Sequence, residues 1–308
     1  MTRPGRVAKQ HRRVLRSSHP RTLTRMDKVV ITLMLTVPAI IVAGLVWGPA
    51  ISSVILSFTD WNGIGPLGDI KFIGAENYDN VFNNYPPFQP AIQHNLIWLV
   101  VFFLGPTLLG IFLAVLLDKE IRGSKIYQSI FFLPVVLSLA LIGFIWQLIY
   151  SRDQGLLNAL FDTKVDWYGD PDINLWAVLV AASWRHTGYI MLLYLAGLKA
   201  VDPALREAAA VDGAGEVRTF FQVILPVMRP VNIVILVITV VESLRAFDIV
   251  WVINKGRNGL ELISTLVTQN VIGEASRVGF GSALATIMIV ISTVYIVVYM
   301  IQVVRERR

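Results

Sequence analysis

The chain has 308 residues, of which 55% are hydrophobic and only 16% are charged, and its mean hydropathy is +0.62. Soluble domains carry about 25% charged residues, so the apolar surplus indicates a chain that faces lipid. The absence of cysteine excludes disulfides, thiolate metal sites and cysteine nucleophiles, and the four histidines do not have metal-ligand spacing. The net charge of +6 does not indicate nucleic-acid binding, because the basic residues follow the two sides of a membrane.

Residues 1–28 are strongly basic and lead into Val29–Phe58, an uncharged run of thirty residues. A cleaved signal peptide has an apolar core of about 7–15 residues, so this longer run is interpreted as an uncleaved membrane anchor. The basic residues before it are suited to anionic lipid headgroups. We therefore predict a cytoplasmic N-terminal tail over residues 1–28, followed by the first membrane span.

Crossing about 30 Å of hydrocarbon takes about 20 apolar residues in a helix. Three further uncharged runs are long enough, and two more are apolar except for a few ionisable residues. Six spans are therefore predicted, at Val29–Phe58, Leu96–Leu117, Ile126–Tyr150, Ile173–Leu198, Val231–Asn254 and Val278–Val304. They give an all-α transmembrane domain over residues 29–304, with a core of about 92–304 and a C-terminal tail at 305–308.

Lysine and arginine are distributed unevenly between the two sides of these spans. The tails and the 118–125 and 199–230 connections hold 19 of them, whereas the three connections on the other side hold six. Because basic connections stay on the cytoplasmic side, we expect both termini in the cytoplasm. The sequence thus predicts a multi-pass membrane protein.

The longest inward connection, Lys199–Pro230, has the pattern of a helix–turn–helix. Asp202 followed by Pro203 is typical of a helix start, because the carboxylate caps free N–H groups and proline fits the first helical position. Gly213 suits a left-handed helix end, and a second helix is predicted at about Glu216–Val223. Small side chains on the first helix let another protein approach its backbone closely, so we expect this loop to be a docking element.

The spacing of residues in this loop resembles the signature loop of binding-protein-dependent ABC importer permeases. One departure is Val223, which stands where isoleucine is usual and preserves the shape. The resemblance implies that the loop carries the coupling helix, which sits in a cleft of a separate cytoplasmic ATPase. The ATPase-coupling residues that it implies are Glu207, Ala208, Ala209, Gly213, Leu225 and Pro226.

Residues 54–62 (VILSFTDWN), 184–198 and 247–255 (FDIVWVINK) are similar to the carbohydrate-uptake branch of these permeases, and to its maltose and glycerol-phosphate type subunit with six spans. The resemblance implies a type I ABC importer permease fold with a five-helix core plus one N-terminal helix. It also implies a location in a bacterial plasma (inner) membrane. It implies as partners a second permease subunit, two copies of an ATPase that binds ATP and Mg²⁺, and an extracytoplasmic solute-binding protein. This chain itself would have no catalytic residue, cofactor or metal.

Ionisable residues inside spans cost roughly 2.5–3.5 kcal/mol each on insertion scales, so they usually face a cavity or a partner. Arg185, His186 and Tyr189 share one face of the fourth predicted span, and a second polar stripe runs along the fifth. In maltose-type permeases the solute contacts lie on these two helices. The resemblance therefore implies solute contacts at His186, Tyr189, Thr239, Glu242, Ser243 and Ala246.

A different interpretation of these charges stays open. Glu242 is also placed to form a structural ion pair with Arg185 or Arg245, which would only fix helix packing. Asp248 and Arg245 lie about one turn nearer the outer face and are interpreted either as gate residues or as side chains that reach toward water.

Two other classes of membrane protein are alternatives to an importer permease. A self-contained secondary transporter or channel for a small polar solute often shows repeated halves, and no repeat is visible in the sequence. An intramembrane enzyme needs a nucleophile–base pair or a metal cluster within its spans, but His186 is the only histidine there. Neither class explains the elaborate inward loop.

Overall fold

The computed structural model of the chain describes residues 24–119, 121–273 and 276–305, and within these ranges the structure is helical apart from connections and one isolated bridge between Thr59 and Phe72. By internal contacts the chain divides into two units, residues 1–52 and 53–308. In chain order the helices are α1 (Arg25–Leu56), α2 (Glu76–Asn83), α3 (Phe88–Asp118), α4 (Ser124–Val136), α5 (Leu139–Ile149), α6 (Leu156–Phe161), α7 (Asn174–Lys199), α8 (Pro203–Val211), α9 (Glu216–Val227), α10 (Arg229–Leu244), α11 (Asp248–Asn254), α12 (Ile263–Val271) and α13 (Val278–Arg305).

Helix α1 begins at Arg25, four residues before the predicted first span. Thr24 and Asp27 explain the earlier start, because each side chain accepts a hydrogen bond from the other residue's backbone N–H, at 3.1 and 2.9 Å. This reciprocal capping box fixes the first turn. Of the predicted tail at 1–28, residues 1–23 lie outside the described residues, as do 306–308 of the C-terminal tail.

Three helices of the described chain are each long and apolar enough to cross a membrane: α1, α3 and the 278–297 part of α13. Three bent helix pairs meet the same criteria together, namely α4 with α5 (102° bend), α7 with α8 (73°) and α9 with the stretch from α10 to α11 (78°). The count is six if each pair is one span, so six spans is the upper limit of what these helices allow.

The predicted span Ile126–Tyr150 is wrong as a continuous helix, since α4 and α5 meet at a sharp bend. Pro134 lies in the last turn of α4, where a proline weakens the continuing helix. Ser138 then caps α5 by accepting a hydrogen bond from the Leu141 N–H at 3.2 Å. Together they end one helix and start another.

The predicted span Val231–Asn254 is also interrupted, because α10 ends at Leu244 and α11 starts at Asp248. The Phe247 ring stacks on Trp251 at 5.2 Å, and the Ala246 carbonyl accepts a hydrogen bond from the Ser264 hydroxyl. These contacts hold the connecting residues away from the helical path. The break falls within the polar stripe.

Two apolar clusters lie one behind the other along α3 and α7. The first joins Trp98 and Phe102 to residues 175–182 of α7 and to the buried face of α11. The second joins Ala114 and Leu117 to residues 190–198 of α7 and to the 199–230 loop. Between the clusters, α7 carries Arg185 and His186. We call the region around these two residues, between the two apolar clusters, the polar belt.

Two glycines on facing helices allow α7 to pack closely against its neighbours. A Cβ at Gly188 would clash with the backbone carbonyl oxygen of Phe131 on α4, and a Cβ at Gly110 of α3 would lie 2.8 Å from the Thr187 carbonyl oxygen. Small residues are what membrane helices use for such contacts. Gly110 and Gly188 therefore set the positions of α3 and α4 beside the polar belt.

Candidate functional site: a polar cavity and an exposed helical loop

A cavity of about 280 Å³ lies in the polar belt, among α3, α5, α7 and the break between α10 and α11. It combines aromatic and apolar walls with two cationic and two acidic side chains. The lining residues are Trp98, Phe102, Leu139, Ala182, Arg185, His186, Glu242, Arg245, Ala246, Phe247, Asp248 and Ile249.

Arg185 and Glu242 lie next to each other in the wall of this cavity. The Arg185 Nη1 and Glu242 Oε2 atoms are 3.8 Å apart, with 23% and 32% of the two side chains exposed. A charge-assisted hydrogen bond would be about 2.7–2.9 Å long, so the pair is a loose one. Within the described part of the chain, the buried Arg185 Nε has no hydrogen-bond partner. The loose contact and the partial exposure of both side chains leave the Arg185 Nη1 and Glu242 Oε2 atoms able to bind other groups at the cavity wall.

His186 lies in the cavity wall and is held from two sides. Its ring stacks on Phe102 with centroids 4.5 Å apart, and its Nε2 lies 3.3 Å from the Thr239 hydroxyl. The Thr239 hydroxyl is in turn 3.1 Å from that of Thr107. This row of polar groups joins α7, α10 and α3 in the middle of the membrane part.

The other predicted solute residues occupy different places. Glu242 and Ala246 line the cavity, although Ala246 lies in the break after α10 and not on the helical stripe. Thr239 and Ser243 are fully buried, and the Ser243 hydroxyl donates a hydrogen bond to the Thr239 carbonyl at 2.7 Å. Tyr189 does not line the cavity, because its ring packs against the second apolar cluster.

Several residues that shape the site were not predicted from the sequence. Trp98 and Phe102 give the cavity its aromatic wall, and Asn95 ties the end of α10 to the start of α12. The Asn95 Oδ1 accepts a hydrogen bond from the Ile263 N–H at 3.0 Å, and its Nδ2 donates to the Ser243 carbonyl at 3.3 Å. The available signal for Asn95 was an uncharged polar side chain one residue before the predicted span Leu96–Leu117.

The predicted helix–turn–helix is confirmed at its first helix and turn. The Asp202 carboxylate accepts a hydrogen bond from the Ala204 N–H at 2.9 Å, with Pro203 at the first helical position. Gly213 has φ +72°, its N–H bonds to the Ala210 carbonyl at 3.0 Å, and the Ala214 N–H bonds to the Ala209 carbonyl at 2.9 Å. This pair of bonds is a Schellman motif, so α8 has defined ends on both sides.

The second loop helix is longer than predicted, since α9 runs to Val227 and includes Leu225 and Pro226. A π-helical turn at Phe220–Ile224 widens the helix just before Pro226. The shifted hydrogen-bond register lets the helix continue past a residue that has no N–H. This turn packs against α8, so the two arms of the loop form one structural element.

The predicted coupling residues differ in exposure. Glu207, Ala208, Gly213 and Pro226 are exposed, Leu225 is half-buried, and Ala209 is only 7% exposed. Large apolar side chains are also exposed on the loop, with Val211 at 88%, Val217 at 72% and Phe221 at 59%. A capped helical element with exposed apolar residues has the character of a protein-binding surface.

Comparison with known proteins identifies this architecture. Residues 106–308 match the family described as binding-protein-dependent transport system inner membrane component. The chain is 30% identical over 276 residues to a probable ABC transporter permease protein of Pyrococcus horikoshii, covering 87% of this chain and 94% of the relative. It is 32% identical over 264 residues to the xylose/arabinose import permease protein XacH of Haloferax volcanii, covering 83% and 82%.

A solved structure has the same fold. A chain of a bacterial ABC transporter involved in the import of the acidic polysaccharide alginate superimposes with a TM-score of 0.78 at 20% identity, covering 92% of this chain and 98% of that one. The family match covers well over half of the present sequence. The chain therefore belongs to the binding-protein-dependent transport system inner membrane components and is the permease component of an ABC importer.

Proposed function

We propose that this permease forms half of the translocation path for a sugar or a sugar-like solute, and that the cavity between the two apolar clusters receives that solute. The observation that carries the proposal is the composition of the cavity. Arg185 and Glu242 offer donors and acceptors for hydroxyl groups. Phe247, which lines the cavity and is partly exposed, offers apolar surface for a ring face. The relative that imports xylose or arabinose supports the same class of solute.

The charges of the cavity favour an uncharged solute. Two cationic side chains, Arg185 and Arg245, are balanced by Glu242 and Asp248. A site for a phosphate or carboxylate group would present a cationic excess that compensates for the ligand's desolvation. We therefore favour a neutral saccharide over glycerol-phosphate or an acidic sugar for the half of the path that this chain supplies.

We further propose that the loop from α8 to α9 contacts a cytoplasmic ATPase. Glu207, Ala208, Gly213 and Pro226 would face this partner, joined by the exposed Val211. In this arrangement both chain termini are cytoplasmic, and a second permease subunit completes the path. ATP and Mg²⁺ would be bound by two ATPase copies, and the extracytoplasmic binding protein would deliver the solute.

Transport would follow from different affinities of two conformations. ATP-driven movement of the loop shifts the permease pair between outward-open and inward-open states, and the solute released by the binding protein meets the cavity in the outward-open state. Because a ligand shifts an equilibrium only by its differential affinity for two states, the cavity and the loop must be linked energetically.

The test is reconstitution of the complete complex in vesicles, with the binding protein and ATP supplied separately or together. Uptake of labelled pentoses, hexoses and short oligosaccharides is measured for each combination. We expect uptake of a neutral saccharide only when both are present. Uptake that a solute gradient or ion gradient drives without ATP would instead establish a secondary transporter.

A further inference from the structure

The last residue of α3, Asp118, forms an ion-pair cluster with the start of the loop. Its Oδ2 lies 2.7 Å from Arg206 Nη2 on α8, and its Oδ1 lies 3.6 Å from Lys199 Nζ at the end of α7. The Asp118 side chain is only 8% exposed, whereas those of Arg206 and Lys199 are 39% and 47% exposed. One buried carboxylate therefore joins three helices.

Local helix energetics do not explain an aspartate at this position. A carboxylate at a helix C-terminus meets the negative end of the helix dipole, and aspartate is also a weak helix former. Burial adds a desolvation cost unless cations compensate it. Asp118 is thus unfavourable for α3 alone and becomes favourable only when Arg206 and Lys199 are in place.

The next residue reaches the other arm of the loop. Lys119 Nζ donates to Glu216 Oε2 at 2.6 Å, with 48% and 82% of these side chains exposed. The hydrogen bond and charge of Lys119 hold the pKa of Glu216 below its usual value. Because exposed pairs contribute little to stability, this second contact is a natural control for the buried one.

Helix α3 connects this cluster to the cavity. Thr107 lies eleven residues before Asp118, about 17 Å along a helix, and its hydroxyl is 3.1 Å from that of Thr239, which contacts His186. A π-helical turn at Phe103–Thr107, containing Pro106, separates the lower part of α3 from its aromatic cavity residues. Helices bend at prolines and at π-helical turns. This turn is therefore the point about which the lower part of α3 would move with the loop.

We propose that Asp118 is a positioning residue that ties the lower part of α3 to the loop, so that loop movement reaches Thr107 and the cavity wall. This inference rests on the proposed function of the loop as the ATPase contact. It adds to the two covalent connections of the loop, through α7 and α10, a third connection made by side chains. The residues that would carry it are Asp118, Arg206 and Thr107.

The experiment uses the complete complex in vesicles and measures ATP hydrolysis with and without solute-loaded binding protein. Asp118→Asn should leave basal hydrolysis intact and lower the stimulated-to-basal ratio at least ~5-fold, the lower end of allosteric coupling. Arg206→Gln, which leaves Lys199 beside the carboxylate, should lower it in the same direction. Arg206→Lys, which keeps a cation beside the carboxylate, should retain most of the ratio.

Lys119→Gln is the matched control, because it breaks the neighbouring exposed pair from the α3 side, outside the loop, and should leave the ratio unchanged. An unchanged ratio in Asp118→Asn would overturn the inference. So would a fall in assembled complex that matches the fall in the ratio across the Asp118→Asn and Arg206→Gln variants, since a merely structural role predicts that result. If the unmodified complex itself shows no stimulation, the proposed function of the loop fails, and the failure is seen before any variant is compared.

Discussion

At the residue scale, the polar side chains of the membrane part differ in whether their hydrogen-bonding groups already have partners inside the protein. Thr239 and Ser243 satisfy their hydroxyls inside the protein, through Thr107, His186 and the Thr239 carbonyl. Among the described residues, Arg185 and Glu242 are held to each other by a 3.8 Å contact and by no shorter polar one. The first pair is therefore suited to fixing the helices and the second to binding a solute.

Gly213 is a single residue on which the shape of the loop depends. Its φ of +72° is a conformation that costs a non-glycine residue about 1–3 kcal/mol, and no atom lies within 4 Å of a Cβ added there. We expect Gly213→Val to lower binding-protein-stimulated ATP hydrolysis, because the strain comes from the backbone. Gly213→Asn should retain most of it, since asparagine tolerates this conformation. Equal hydrolysis by both variants and the unmodified complex would show that the geometry of the turn is not needed.

At the element scale, the continuous helix α7 is surrounded at the site by helices that are interrupted. Helix α10 stops at Leu244, α3 contains the π-helical turn Phe103–Thr107, and α4 bends into α5. Each interruption places residues with irregular backbone next to the cavity or its supporting contacts. In membrane proteins such backbone occurs where it is buried in protein or lines a polar cavity, which agrees with the position of the cavity.

The contact between α4 and α7 depends on Gly188. A methyl group at this position would clash with the Phe131 carbonyl oxygen, and overpacking of this kind typically costs about 1–3 kcal/mol. We expect Gly188→Ala to lower the thermal unfolding midpoint of the purified complex. Gly105→Ala is the matched control, because an added methyl group there meets open space. Equal midpoints for the two variants would contradict the close packing.

At the scale of the whole molecule, the apolar helices and the polar residues between the two apolar clusters are the features that were best predicted from the sequence. Apolar runs gave the membrane helices, and Asp202, Pro203 and Gly213 gave the ends of α8 because capping is local chemistry. The breaks in the third and fifth predicted spans, α4–α5 and α10–α11, were not predicted. The α10–α11 break depends on contacts between distant residues, such as the bond from Ser264 to Ala246. The α4–α5 break has local causes, Pro134 and the Ser138 cap, but an apolar run does not reveal how sharply the chain bends there.

The candidate site, like the fold, was predicted only in part from the sequence. Charges inside apolar runs pointed to Arg185, His186 and Glu242, which do meet at one cavity. The helical stripe that included Tyr189 did not indicate the cavity, because the direction in which a side chain packs depends on neighbouring helices. Trp98 and Phe102 were missed because an aromatic residue in an apolar run carries no signal of its own.

The orientation of the molecule is predicted from the 19 and six basic residues on the two sides. Because the chain contains no cysteine, single cysteines give labelling without background. Asn83→Cys should react with an impermeant reagent in intact cells, and Ala208→Cys should react only after the membrane is opened. Both positions are exposed, whereas Ala209 is buried and unsuitable. Labelling of Ala208→Cys from outside would reverse the proposed orientation.

The central claim is that the cavity of this chain is part of the solute path, and uptake by the Glu242→Gln complex tests it most directly. A hydrogen bond to a charged group contributes about 1.5–3 kcal/mol, so we expect solute uptake to fall at least ~10-fold. Assembled complex and basal ATP hydrolysis should be maintained, because the Arg185–Glu242 contact is loose and partly exposed. Tyr189→Phe, outside the cavity, should transport at nearly the unmodified rate. Normal uptake by Glu242→Gln would contradict the claim, as would a loss of assembly that Arg185→Gln restores in the double variant.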